Sequence, residues 1–334
     1  MSHEQFEVLS NQAVFAAGLV YFLAFLAHLA QWAVGRRVAE DAPVALRVGA
    51  GAPTEAVTLA PTELDDETAE RMDLFGRIGI ALTIVAVAVH FVALAARGLA
   101  ADPVRVPWGN MYEFVITGTF VVVVGYLALY RRYSLSWLSP VVTGFVLVTL
   151  MADMLLLWQP VTQLRDALQS PWLVIHVVAA IIATGAFTLG GMASVLFLVK
   201  QKWGASARAG GYLARLPELK ALDRFAYRTH AFGFPVWTFA ALITGPIWAH
   251  YAWGRFWGWD PKEVWAFITW VVYAAYLHAR ATQGWKGRSA AVVALVGLAT
   301  LWFNFVGINF FFGSGSQHSY AQEQPAAPAV VRTL

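Results

Sequence analysis

Apolar and polar positions fall along this chain in blocks rather than in a short period. Long apolar runs cover about residues 11–35, 73–96, 137–158, 172–199, 229–251, 261–282 and 289–312, and one more follows the segment 107–114 and ends at Tyr130. A run of roughly 20 apolar residues crosses a bilayer as a helix. The pattern therefore predicts an all-α polytopic membrane protein with about eight transmembrane helices. The polar blocks sit between the runs and break them. Residues 38–72 hold Pro43, Gly49, Gly51, Pro53 and Pro61 with the acids Glu63, Asp65, Asp66, Glu67 and Glu70, the make-up of a flexible loop, in which a short amphipathic helix before Arg71 is one option.

Composition supports the same class. Only 13% of the 334 residues are charged and 59% are hydrophobic, whereas a soluble domain carries about 25% charge. A net charge of +3 gives no reason to expect a nucleic-acid partner. The absence of cysteine excludes thiol redox chemistry, thiolate metal sites and disulfides within this chain. The basic residues report topology instead. Arg36-Arg37, Arg131-Arg132, Lys200 with Lys202 and the arginines after them, and Lys286 with Arg288 follow the first, third, fifth and seventh runs. Positive loops face the cytoplasm, so both termini are expected outside the plasma membrane. The first run has its positive charge after it rather than before it, which reads as an uncleaved helix. The expected organisation is a first transmembrane helix over 1–37, a cytoplasmic loop over 38–72, a membrane domain over 73–320 and a disordered tail over 321–334.

One stretch does not read as an ordinary loop. Trp253, Trp257 and Trp259 fall within seven residues, followed by Asp260-Pro261-Lys262-Glu263 and Trp265. Asp260 as N-cap, Pro261 at the first helical position and Glu263 closing a capping box start the next helix. That local role leaves the density of indoles unexplained. Flat aromatic faces suit a flat, partly apolar object, and Arg255 and Lys262 bring positive charge beside them. Helix direction also sorts the histidines by depth. His176 and His318 fall at the outer face with this loop. His278 comes 18 residues after Asp260, about 27 Å down a helix, and His28 lies at a similar inner depth. Two imidazoles at one depth beside a tryptophan platform are what axial ligation of haem iron needs, and the inner pair is a candidate second site.

The string WGRFWGWDPKEVWAFITW resembles the tryptophan-rich WWD signature of the haem-handling proteins of cytochrome c assembly. With FGFPVWTFAALITGPIWA, YLHAR, GINFFFGSGSQHSY, PWLVIH and PWGNMYEF, the chain is similar over about residues 72–320 to the CcsA branch (also called ResC, and CcsB in some lineages) of the system II haem lyase. The resemblance implies haem b as the transported group. It places the external ligands at His176 and His318 and an intramembrane histidine at His278. In fused relatives the partner of that histidine comes from a ResB-like part that this chain lacks. His28 matches by depth alone. The resemblance further implies that Trp253, Trp257, Trp259, Asp260 and Glu263 belong to the loop that orients the macrocycle. Its implied partners are a ResB-like subunit, an apocytochrome c with a CXXCH motif, thiol–disulfide reductant proteins and membrane lipid.

No side-chain general acid or base is evident, and Asp153 reads as a structural residue. Three rivals remain in view. A haem-transfer protein of the CcmC/CcmF type is disfavoured by the separate histidine near the C-terminus and by the helix count. A b-type electron-transfer subunit is disfavoured because no helix carries two histidines at facing spacing. A solute transporter would show interrupted helices in repeated halves.

Overall fold

The computed structural model describes residues 1–41, 66–162, 169–204, 211–282 and 285–311. His318, the tail and most of the predicted loop 38–72 lie outside the described residues. The helices, in chain order, are α1 (His3–Asp41), α2 (Asp66–Leu99), α3 (Met111–Tyr133), α4 (Ser139–Leu156), α5 (Pro171–Trp203), the short α6 (Tyr212–Arg215), α7 (Leu219–Thr238), α8 (Gly245–Trp253), α9 (Pro261–Ala281), α10 (Arg288–Trp302) and α11 (Ile308–Phe311). Among the described residues there is no strand. A wide π-helical turn, Phe239–Thr244, joins α7 to α8, and a second, Phe303–Gly307, joins α10 to α11. Each pair thereby forms one long rod.

Seven of these rods are long and apolar enough to cross a membrane. The eighth predicted crossing, α9, is not among them. Its 21 residues span about 31 Å at 1.5 Å per residue, enough for a bilayer. Its composition sets it apart, because Lys262, Glu263, His278, Arg280 and several Trp and Tyr residues interrupt the apolar run. Helix starts also differ from the sequence pattern. α7 begins ten residues before the predicted position 229, because Leu222, Phe225, Ala226, Thr229, His230 and Gly233 are buried at three- and four-residue spacing while Arg224 and Arg228 lie between them and Lys220 precedes them. That is an amphipathic helix, not a basic connector. α2 starts at Asp66, and the pairs Glu67–Arg71 and Asp73–Arg77 along its exposed first turns fit the four-residue helical spacing.

Burial organises around α5. Its buried positions are mostly small, including Ala179, Ala180, Ala183, Gly185, Gly190, Gly191, Ala193 and Ser194. Small residues let membrane helices approach closely where lipid offers no hydrophobic drive. At Gly190 an added Cβ would lie 2.6 Å from Thr229 Oγ1 and 2.7 Å from the His230 ring, so α7 packs directly on the α5 backbone. One cluster of buried residues joins α1, α2, α3 and α4 to one side of α5. A second joins α5, α7, α9 and α10, with Phe187 stacked on Tyr273 at 3.8 Å. Hydrogen bonds from Trp237 Nε1 to Ala266 O and from Trp270 Nε1 to Thr238 Oγ1 pin α9 to α7.

A buried ion network ties down the end of the bundle that carries the aromatic loop. The Arg97 and Glu113 side chains are both fully buried and meet at 3.1 Å, and Arg105 reaches the same carboxylate at 2.6 Å. Glu113 also accepts from Gly109 N–H at 2.7 Å, and Arg97 contacts Glu7 at 3.4 Å and donates to Gln159 O. The network links α1, α2, the 100–110 loop, α3 and the exit of α4. Replacing Glu113 by Ala leaves two guanidinium groups without their shared anion at a water-poor site and is expected to cost about 3–5 kcal/mol. Arg71→Ala, at a solvent-facing pair, is expected to cost less than about 1 kcal/mol. Denaturant unfolding of the detergent-solubilised chain, followed by tryptophan fluorescence, compares the two.

Candidate functional site

Both π-turns open onto the same place. A partly open cavity of about 130 Å³ lies at the aromatic end of the bundle, walled by α5, the α7–α8 rod, the 254–260 loop, the start of α9 and the α10–α11 rod. Ala241 and Gly245 come from the first wide turn and its exit, and Asn304 and Phe305 from the second. Wide turns of this kind displace backbone carbonyls from the regular helical ladder. The first precedes Pro246, which has no N–H to return to the previous turn, and the Gly245 N–H reaches back five residues to Ala240 O.

His176, near the start of α5, lines this cavity. Its Nδ1 lies 2.9 Å from Ala240 O. A carbonyl can only accept, so Nδ1 carries a proton, and in the neutral form of the ring the lone pair then lies on Nε2. The displaced carbonyl thus fixes both tautomer and ring plane, the arrangement seen behind metal-bound histidines. The ring also stacks on Trp248 at 6.0 Å and 15°. Gly245 makes the approach possible, since a Cβ there would lie 3.1 Å from Ala240 O and 3.2 Å from the His176 ring.

The three loop tryptophans take different places. Trp257 lines the cavity. Trp253 packs edge-on against Trp248 at 4.8 Å, behind the His176 stack. Trp259 is 71% exposed and adopts a left-handed backbone with φ of 57°. Phe256 adds a further wall and stacks on His250 at 4.3 Å. The predicted capping box is present. Asp260 Oδ1 accepts from Lys262 N–H at 3.0 Å, and Glu263 Oε2 accepts from the backbone N–H groups of Gly258 and Asp260 at 2.8 and 3.1 Å. Glu263 therefore holds the loop closed over the start of α9, and Lys262 brings an ammonium group to the same wall.

The two inner histidines are not brought together by the helix packing described. His28 is buried with its ring against Gly79 of α2, and α1 packs on α2 and α4. His278 is exposed on α9, which packs on α10 and α7. Sequence spacing assigns the two a similar depth but carries no information on the direction each faces. Three cavity-lining residues, Trp237, Trp248 and Asn304, and the Ala240 carbonyl that holds His176 were not expected from the sequence. Asn304 is 7% exposed, and its Oδ1 has no hydrogen-bond partner among the described residues. An Asn in a largely apolar run was the available signal.

A profile of the family described as cytochrome C assembly protein matches residues 108–314. The cytochrome c biogenesis protein CcsA of Trieres chinensis is 33% identical over 278 residues, covering 73% of this chain and 86% of the relative. The CcsA proteins of Guillardia theta and Gloeobacter violaceus are 34% and 31% identical, each match covering 73% and 75% of this chain and 85% and 88% of the relative, respectively.

The chain belongs to the cytochrome c assembly family. It is a multi-pass helical membrane protein with a role in cytochrome c maturation, and haem is thereby the relevant chemistry. The matched region begins at Trp108, a wall of the cavity, and takes in the His176 helix, both π-turns and the aromatic loop.

The left-handed Trp259 yields a stability test. A non-glycine residue in that region costs about 1–2 kcal/mol. Trp259→Gly is therefore expected to raise the melting midpoint of the detergent-solubilised chain, and Trp259→Val to lower it. Equal losses in both variants would show that the indole anchors the loop.

Proposed function

We propose that the chain receives haem and presents it at the aromatic-end cavity for covalent attachment to apocytochrome c, as the WWD subunit of a system II cytochrome c synthase. The observation that carries this reading is the His176 Nδ1 hydrogen bond to Ala240 O at the wall of the aromatic cavity, which in the neutral ring puts the lone pair on Nε2, the atom that would bind iron. His318, outside the described residues, is the proposed second axial ligand on the grounds of family resemblance. Trp257 and Phe256 cover the macrocycle, with Trp248 backing the His176 ring. Lys262 and Arg255 answer the propionates, and Glu263 with Asp260 keeps the loop in place.

Attachment adds the S–H of each CXXCH cysteine across a haem vinyl group. The sulfur bonds one vinyl carbon and hydrogen the other, with no net oxidation. The chain supplies no thiol to that step. Its contribution is to hold the two reactants oriented, which turns a bimolecular encounter into a positioned one. The cavity end faces the extracytoplasmic side in this reading, because the basic connectors gather at the opposite end. A ResB-like subunit completes the complex, and its residues supply the partner for the exposed His278. Thiol–disulfide reductant proteins keep the substrate cysteines reduced.

The test is the reduced absorption spectrum of the chain purified with its ResB-like partner. His176→Gly is expected to lower bound haem by at least about tenfold, and added imidazole is expected to restore the bis-imidazole spectrum. Haem content and spectrum indifferent to the substitution would remove His176 as a ligand and the proposed site with it.

A further inference from the structure

The opposite end of the bundle carries a second site with a different chemistry. A pocket of about 490 Å³ there is lined by Arg132 at the end of α3 and by Arg224 and Arg228, one turn apart on α7, together with Tyr133 and Trp137. Arg132 and Arg228 both lie over the Tyr133 ring, at 5.9 and 5.7 Å. Among the described residues, no acid lines the pocket. The neighbouring carboxylate, Asp223, is committed to Arg280 through contacts of 2.8 and 3.0 Å. Among the described residues, none of the three arginines is ion-paired to an acid.

This pocket continues into an apolar groove. Tyr133, Phe225 and Arg228 also line a cavity of about 370 Å³ between α3, α5 and α7. The groove exists because the facing positions are small: Gly125 and Ala128 on α3, and Gly185 and Ala186 on α5. Phe232 and Ile182 complete its walls. The site thus offers three guanidinium groups at the membrane edge and, joined to them, a channel running between transmembrane helices.

We propose that this site binds one anionic phospholipid, with its headgroup phosphate on Arg132, Arg224 and Arg228 and an acyl chain in the α3–α5–α7 groove. Guanidinium forks match phosphate oxygens in pairs. Basic pockets between transmembrane helices recognise anionic headgroups. A soluble phosphate would satisfy the arginines and leave the groove without an occupant. A zwitterionic lipid would fill the groove and leave the arginines with a weaker counter-charge. An anionic lipid answers both and fills the space that the small residues leave between the three helices.

The test uses the full-length chain in detergent and reads lipid retention by native mass spectrometry. Long-chain phosphatidylglycerol is expected to remain bound at one molecule per chain, and phosphatidylcholine to be lost. The triple variant R132Q/R224Q/R228Q is expected to weaken phosphatidylglycerol binding by about a hundredfold, counting roughly a factor of five for each arginine. Ala128→Phe, which plugs the groove and keeps the arginines, is expected to abolish retention as well, while R71Q/R77Q leaves it unchanged. Equal retention of the two lipids, or retention indifferent to the triple variant, overturns the proposal. So does displacement by inorganic phosphate without dependence on chain length, which would make this a free-phosphate site. If the triple variant does not fold, the headgroup comparison on the unaltered chain and Ala128→Phe decide.

Discussion

A helix that gives up its regular ladder exposes a carbonyl, and at Ala240 that carbonyl sets the state of the His176 ring. In a membrane the cost of a displaced backbone group is high, because no water is present to satisfy it. The chain meets that cost with donors of its own: the Gly245 N–H, the Thr244 hydroxyl and the His176 Nδ1–H. The same bond that satisfies the backbone leaves the histidine with its Nε2 lone pair. A second wide turn in the α10–α11 rod brings Asn304 to the same cavity. The rest of the bundle serves this arrangement. The small residues of α5 bring the α7–α8 rod close, the Glu263 carboxylate holds the aromatic loop over the opening, and the Arg97–Glu113 network fixes the neighbouring helix ends.

The two ends of the bundle are chemically opposite. One gathers indole and phenyl faces, an imidazole and a buried ion network whose charges are matched inside the protein. The other gathers Arg132, Arg224 and Arg228, which have no ion-paired acid among the described residues. The first suits a flat, largely apolar substrate with a metal at its centre. The second suits the anionic surface of a membrane. The exposed His278 on α9 joins neither.

Much of the fold was readable in the chain. Apolar runs separated by basic or proline-rich blocks located the main rods, because the hydrocarbon thickness imposes a length that composition alone reveals. Asp260 and Glu263 were readable as a capping box because the interaction is local. Features that depend on direction around a helix were not. α7 was placed ten residues late because its basic face masked a buried stripe. Spacing assigns His28 and His278 a similar depth, but they project from helices with different neighbours. The π-turns left only a proline and two glycines as traces. The individual places of Trp253, Trp257 and Trp259 depend on how the loop folds over α9, which spacing does not encode.

The most direct measurement is a cryo-electron microscopy map of the haem-loaded chain in complex with its ResB-like partner. The account predicts iron at bonding distance from His176 Nε2, the macrocycle bounded by Trp257 and Phe256, and the Nδ1 bond to Ala240 retained. Iron held elsewhere, with His176 still turned to Ala240 and the cavity filled by something other than porphyrin, would contradict it.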